Sequence, residues 1–120
     1  MTGTNIREII EEETQTQRHK EALDSLVRTR SKLLRESLEE RMRRARDQGE
    51  WNHLSQKECA GQHKQEKLYL QSQVDRLRHE QARTKGKLAE LRRAKAQAEL
   101  IRAAEAASER KRHRTTMGYV

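Results

Sequence analysis

The chain is expected to be all-α and extended, with two long helices separated by a break near residues 48–54 and no independent globular core. Three observations predict this. Among 120 residues there is no proline and no phenylalanine. Charged residues make up 38% and hydrophobic ones 32%, with a mean hydropathy of −1.25. The abundant types, Glu, Arg, Lys, Gln, Ala and Leu, are strong helix formers, whereas the β-branched and aromatic residues that strands prefer are scarce. Folding must offset roughly 1–2 kcal/mol of backbone entropy per residue with about 25 cal/mol for each Å² of apolar area buried. With three aromatic residues, Trp51, Tyr69 and Tyr119, a compact core is out of reach, so a partner is expected to complete the burial.

Residues 1–5 read as a terminal cap or tail. Asn5 and Glu8 have the spacing of an N-cap and its reciprocal partner, with Ile6, Ile9 and Ile10 opening a helical stripe. The first helix is expected over 6–48. From Glu11 to Glu21 no apolar residue appears, so that stretch offers a neighbour nothing to bury. The stripe resumes with Leu23, Leu26, Val27, Leu34, Leu38, Met42 and Ala45. Its late steps average about 3.67 residues per turn, the period of a straight helix.

Arginines 41, 43, 44 and 46 precede Gly49, an arrangement that suits a helix C-terminus, where cations oppose the negative end of the dipole. A break at 49–54 follows. Ser55 and Glu58 form a second capping-box spacing that starts a basic helix over 55–112, on the order of 85 Å long, with 113–120 as a tail. Gly61 and Gly86 fall inside it, and one of them is a candidate bend or close approach. Leu70, Val74, Leu77, Gln81, Thr84, Leu88 and Leu91 follow heptad steps and form a candidate seam for a coiled-coil partner. Beyond it, Ala94, Ala98, Ile101, Ala103, Ala104, Ala106 and Ala107 give a small-residue face suited to lying close to a flat surface.

The net charge is +8 and lies entirely in the second half: residues 1–60 carry 12 basic and 12 acidic side chains, residues 61–120 carry 15 and seven. Such a chain is drawn to acidic surfaces. No secretory signal or membrane span is expected, and the acidic start around Glu8 and Glu11–Glu13 argues against a matrix-targeting presequence. His53, Cys59 and His63 include two zinc-ligand types one turn apart, but no further cysteine or paired histidine completes a set of four, so no metal site or other cofactor is expected. No nucleophile motif, phosphate loop or converging acid and base is visible, so neither enzymatic activity nor a small-molecule substrate is expected.

The two basic clusters, Arg41, Arg43, Arg44, Arg46 and Arg110, Lys111, Arg112, Arg114, fit either contacts to an acidic partner or solvated helix ends. A basic-zipper arrangement fails because Gly49 and Gly61 interrupt the path from basic helix to heptads. Trp51, in the break, either plugs a partner's pocket or folds back on the preceding helix. Met117, Tyr119 and Val120 form a frayed tail or a short anchor.

Residues 30–49, RSKLLRESLEERMRRARDQG, combine a basic start, a leucine pair at Leu33 and Leu34, Leu38 followed by Glu39 and Glu40, and a charged helix ending in glycine. This segment resembles the repeated helical segments of trichohyalin-plectin homology and of short microtubule inner proteins in ciliary doublet microtubules. The resemblance implies a non-catalytic protein lying along tubulin, beside neighbouring helical axonemal proteins, in the cytoskeleton of a cilium or flagellum. It further implies that Leu33, Leu34, Leu38, Met42 and Trp51 bury against the partner while the arginines meet acidic side chains. Two other classes remain open: a coiled-coil subunit of a tethering or docking complex, and a basic component of a ribonucleoprotein particle or the nucleus. The near-neutral first half and the shortage of aromatics for base stacking weigh against nucleic acid.

Overall fold

A computed structural model describes residues 5–117 of the chain. Three helices account for nearly all of them: α1 (Ile6–Leu34), α2 (Leu38–Asp47) and α3 (Gln56–Met117). The described residues contain no strand. Contacts divide the chain into a central unit, Lys20–Arg83, and a terminal unit made of the described residues up to His19 and from Thr84 onward.

Both expected helix starts are capped, but only the second by the reciprocal pair that its spacing predicts; Asn5 caps α1 through Arg7 in place of Glu8, whose N–H donates to the Asn5 backbone carbonyl. The Arg7 N–H donates to Asn5 Oδ1 at 3.1 Å. At α3 the box is reciprocal, with the Glu58 N–H donating to Ser55 Oγ at 3.1 Å and the Ser55 N–H donating to Glu58 Oε1 at 3.3 Å. Four orphan N–H groups at a helix start need such partners.

The helix expected over 6–48 is divided at Arg35–Ser37, although neither proline nor glycine occurs there. A serine N-cap sits at the break. Ser37 adopts an extended conformation as N-cap of α2, and its Oγ accepts from the Glu40 N–H at 3.1 Å while donating to Glu40 Oε1 at 3.1 Å. Glu36 leaves the helical path and accepts two bonds from Arg44, at 2.9 and 2.8 Å. The apolar step of about 3.67 residues read through Leu34, Leu38 and Met42 therefore joins two separate helices and says nothing about the path of one.

α2 ends where Gly49 was expected to stop a helix. Gly49 has φ +71°, its N–H donates to the Arg46 carbonyl at 3.2 Å, and the Glu50 N–H donates to the Ala45 carbonyl at 2.6 Å. This is a Schellman termination, which needs the left-handed conformation that glycine adopts without a Cβ penalty. Trp51 also takes a positive φ, +63°, costing roughly 1–3 kcal/mol for a bulky side chain, so its neighbours must hold it there. Gly61 and Gly86 mark neither a bend nor a close approach: α3 continues through both, and a Cβ added at either meets nothing within 4 Å.

In the central unit α1 runs antiparallel to α3. Arg30 Nε donates to Gln73 Oε1 at 2.9 Å, and Gln81 Nε2 donates to Asp24 Oδ1 at 2.8 Å. Leu23 and Val74 are buried along this line, with Val27, Leu34, Leu70 and Leu77 half-buried. In the terminal unit the same two helices are again antiparallel. Arg92 donates to Gln17 Oε1 at 3.3 Å, and Lys95 Nζ lies 3.4 Å from Glu13 Oε2. There Ile9, Thr16, Thr84 and Leu88 are buried, and Leu91, Lys95 and Ala98 half-buried.

The reduced exposure of α1 centres on Ile6, Ile9, Glu13, Thr16, Lys20, Leu23, Val27, Arg30 and Leu34, with Gln17, Asp24, Ser31 and Leu33 flanking this line. Steps of three and four alternate throughout, which is the 3.5-residue repeat of a coiled coil. The stretch from Glu11 to Glu21 thus does bury side chains, contrary to expectation. Thr16 is small enough to enter the seam, and Glu13 tolerates partial burial because Arg92 and Lys95 stand 3.6 and 3.4 Å from its carboxylate oxygens.

Candidate interaction surfaces

The arginines of α2 separate by helical face. Arg41 points inward and is only 3% exposed. Its Nε donates to Glu66 Oε2 at 2.7 Å and its Nη2 to Glu66 Oε1 at 2.9 Å, a bidentate pair between α2 and α3. Nη2 also reaches Glu50 Oε2 at 3.3 Å, and the Trp51 ring centroid lies 3.9 Å from the guanidinium carbon. Removing an arginine from water is tolerable only with such paired partners. The cation under the indole face, supported by the Gly49 turn, also holds Trp51 in its strained backbone.

These contacts move the titrations in the directions that pairing dictates. Hydrogen bonds from Arg41 hold the Glu66 carboxyl below its ordinary 4.5, and those from Arg44 do the same for Glu36. The reciprocal bonds raise Arg41 and Arg44 above the usual arginine value. Asp24 is lowered by hydrogen bonds from Lys20 first and then Gln81.

Several side chains expected to meet a partner are therefore occupied within the chain. Arg41 is buried and Arg44 is half-buried against Glu36, so of the first basic cluster Arg43 and Arg46 remain exposed. Trp51 folds back on Arg41 of the preceding helix, one of the two arrangements that its position in the break allowed. Val74 and Leu88 are buried, and Leu70, Leu77 and Leu91 half-buried, on the face of α3 from which Gln73, Gln81, Arg92 and Lys95 bond to α1. The heptad seam is met by α1 and does not wait for another chain.

Leu33, Leu34, Leu38 and Met42 are half-buried, each with part of its surface open. Leu34 lines an open groove with Ala60, His63 and Leu68, bordered by Lys64 and Lys67. Met42 lines a recess of about 220 Å³ with Trp51, Leu54 and Cys59. Cys59 and His63 are buried and His53 is exposed, and no group of three potential metal ligands occurs among the described residues. Tyr119 lies outside the described residues.

Leu68, Tyr69 and Leu100, to which the residue pattern gave no role, are exposed, and so are Ile10 and Leu26, although both were expected in the apolar stripe of the first helix. Every described side chain from Glu99 to Arg114 is exposed, including Arg110, Lys111, Arg112 and Arg114. Ala98 is the last half-buried residue of α3, three residues past Lys95 and its contact with Glu13. The signal for this overhang was present in the chain lengths: an antiparallel partner starting at Ile6 runs out long before a helix ending near residue 112 does.

No described helix is long and apolar enough to cross a membrane. No protein-family model, curated protein or solved structure matches the chain.

Proposed function

We propose that this chain is a non-catalytic structural protein that lies along an acidic protein polymer, as a microtubule-associated inner protein that stabilises doublet microtubules in a ciliary or flagellar axoneme. Its partners in this proposal are tubulin and neighbouring helical axonemal proteins. The observation that carries the proposal is the complete exposure of α3 from Glu99 to Arg114, a helix ending in a run of cations. An exposed helix gains little from its own propensity, and basic side chains on it add attraction to acidic surfaces. The resemblance of residues 30–49 to segments of microtubule inner proteins supports the choice of polymer, and Arg43 and Arg46 stand exposed within that segment.

The test is the location of an endogenously tagged copy, followed by detergent extraction. Retention along a cilium or flagellum, weakened by a double Arg43→Glu, Arg46→Glu change, is the expected result. A nuclear or ribosome-bound signal lost in salt would replace this function with the ribonucleoprotein one, because phosphate contacts weaken steeply with ionic strength.

One observation favours a second function, as a coiled-coil subunit of a tethering or docking complex. The alternating three- and four-residue burial along α1 and α3 pairs these helices within each unit without any polymer. Sedimentation velocity and circular dichroism on the purified chain separate the two: a stable helical oligomer without any polymer favours the complex.

A further inference from the structure

In the terminal unit, the face of α3 that meets α1 carries Thr84, Leu88, Leu91, Lys95 and Ala98. Continuing the same three- and four-residue steps beyond Ala98 gives Arg102, Glu105, Glu109 and Arg112, all charged. That face therefore has nothing to offer another apolar helix past the point where α1 begins. The apolar residues reappear elsewhere. Leu100 follows Leu91 by nine residues and Ala107 follows Ala98 by nine, which is about two and a half turns and so the opposite side of the helix. Ala103 and Ala104 fall between them on that side, with Ile101 at its edge. Leu100 is 72% exposed and Ile101 53%. Soluble helices turn their apolar side toward whatever covers it, and here that side changes at the end of the hairpin.

Arg114 continues the new face one heptad beyond Ala107, and Arg110 flanks it. The surface is thus apolar in its first half and cationic in its second. A nucleic-acid backbone matches the cations but has no counterpart for Leu100 and Ile101. A second copy of the overhang, laid antiparallel, sets Leu100 against Arg110. The occupant that satisfies both halves is a protein surface with an apolar groove closed at one end by carboxylates.

We infer that the α3 overhang is a docking element, with Leu100, Ala103, Ala104 and Ala107 seated in an apolar groove of an acidic protein partner and Arg110 and Arg114 against carboxylates at the groove's end. This rests on the proposed association with an acidic polymer and assigns the surface that makes it. Because the overhang lies outside the α1–α3 seam, its variants keep the hairpin intact.

The test uses the full chain present during polymerisation of purified tubulin, with the fraction pelleted as readout and thermal unfolding followed in parallel. A double Leu100→Glu, Ala104→Glu change and a double Arg110→Glu, Arg114→Glu change should each lower the apparent affinity at least about tenfold, the free-energy equivalent of about 1.4 kcal/mol. Glu105→Gln, on the opposite face, should stay within about twofold, and all melting temperatures should match the wild type. If the wild type pellets and the Leu100, Ala104 variant pellets equally well, the docking assignment is wrong while the polymer association stands. If the wild type does not pellet, the association itself fails. A wild-type dimer in sedimentation velocity that the Leu100, Ala104 variant dissociates would overturn the assignment in favour of a second copy. Duplex RNA binding lost only with the arginine variant would overturn it in favour of nucleic acid.

Discussion

Arg41 of α2 and Glu66 of α3 form a bidentate ion pair, Nε to Oε2 at 2.7 Å and Nη2 to Oε1 at 2.9 Å, with the arginine 3% exposed. The pair ties the short α2 to α3 and, through the indole above the guanidinium, also fixes the loop between them. A residue that reads as one of four surface cations is instead the polar centre of the central unit.

Replacing Arg41 with alanine should leave Glu66 and Glu50 facing an empty space and release Trp51. Removing one partner of a fully buried pair costs about 3–5 kcal/mol. The Glu66 side chain is 38% exposed, so a loss of roughly 2–3 kcal/mol is expected in chemical denaturation after allowing for solvent screening. Arg41→Lys should recover little, since an ammonium cannot make the two-pronged contact. A double-mutant cycle with Glu66→Ala that gives no coupling would contradict the structure.

Acid should weaken the fold through Glu66 and Glu36. Both carboxyls are held below 4.5 in the folded chain by bonds from Arg41 and Arg44. A lowered folded value means that the stabilisation is present above the ordinary carboxylate range and is lost as pH falls through the lowered values. The melting temperature should therefore begin to fall below about pH 5 and keep falling as the two carboxyls protonate, and a double Glu36→Gln, Glu66→Gln chain should melt lower at neutral pH with a shallower decline.

Three glycines should respond to alanine in two directions. At Gly61 and Gly86 a Cβ meets nothing within 4 Å inside a continuous helix, so each change should stabilise by about 0.8–1 kcal/mol. Gly49 has φ +71°, and Gly49→Ala should destabilise by about 1–2 kcal/mol because the Schellman turn requires that conformation. Calorimetric melting of the three single variants tests both signs.

Ser37→Ala removes the hydroxyl that receives the Glu40 N–H and should cost about 1 kcal/mol. If the cap is what separates α1 from α2, amide exchange at Glu40 should speed up while exchange at Arg44 changes less.

The resemblance of residues 30–49 spans this break. Any contact that the segment makes therefore comes from two helices with a turn between them, and Leu34 and Leu38 sit on either side of Ser37.

Much of the secondary structure was legible because its signals are local. Asn5 with Glu8, Ser55 with Glu58, and Gly49 after an arginine run each specify a helix end through atoms only a few residues apart. Ser37 with Glu40 carries the same S-x-x-E pattern as Ser55 with Glu58, so the missed break was also written locally, hidden by an apolar stripe that passed through it. The seam of α3 was readable from Leu70 to Leu91 because its apolar members keep a constant step.

Residue order alone was enough for an all-α chain, the starts of α1 and α3, the stop at Gly49, and the seam of α3. That α1 fills this seam, that Arg41 turns inward while Arg43 and Arg46 stay outside, and that Trp51 folds back emerge only from the packing. The reason is physical: Glu13, Thr16, Lys20 and Arg30 have no apolar signal of their own; Lys20 finds Asp24 one turn along its own helix, but the burial of Glu13 and Arg30 is tolerable only once Arg92, Lys95 and Gln73 are placed beside them from a distant part of the chain.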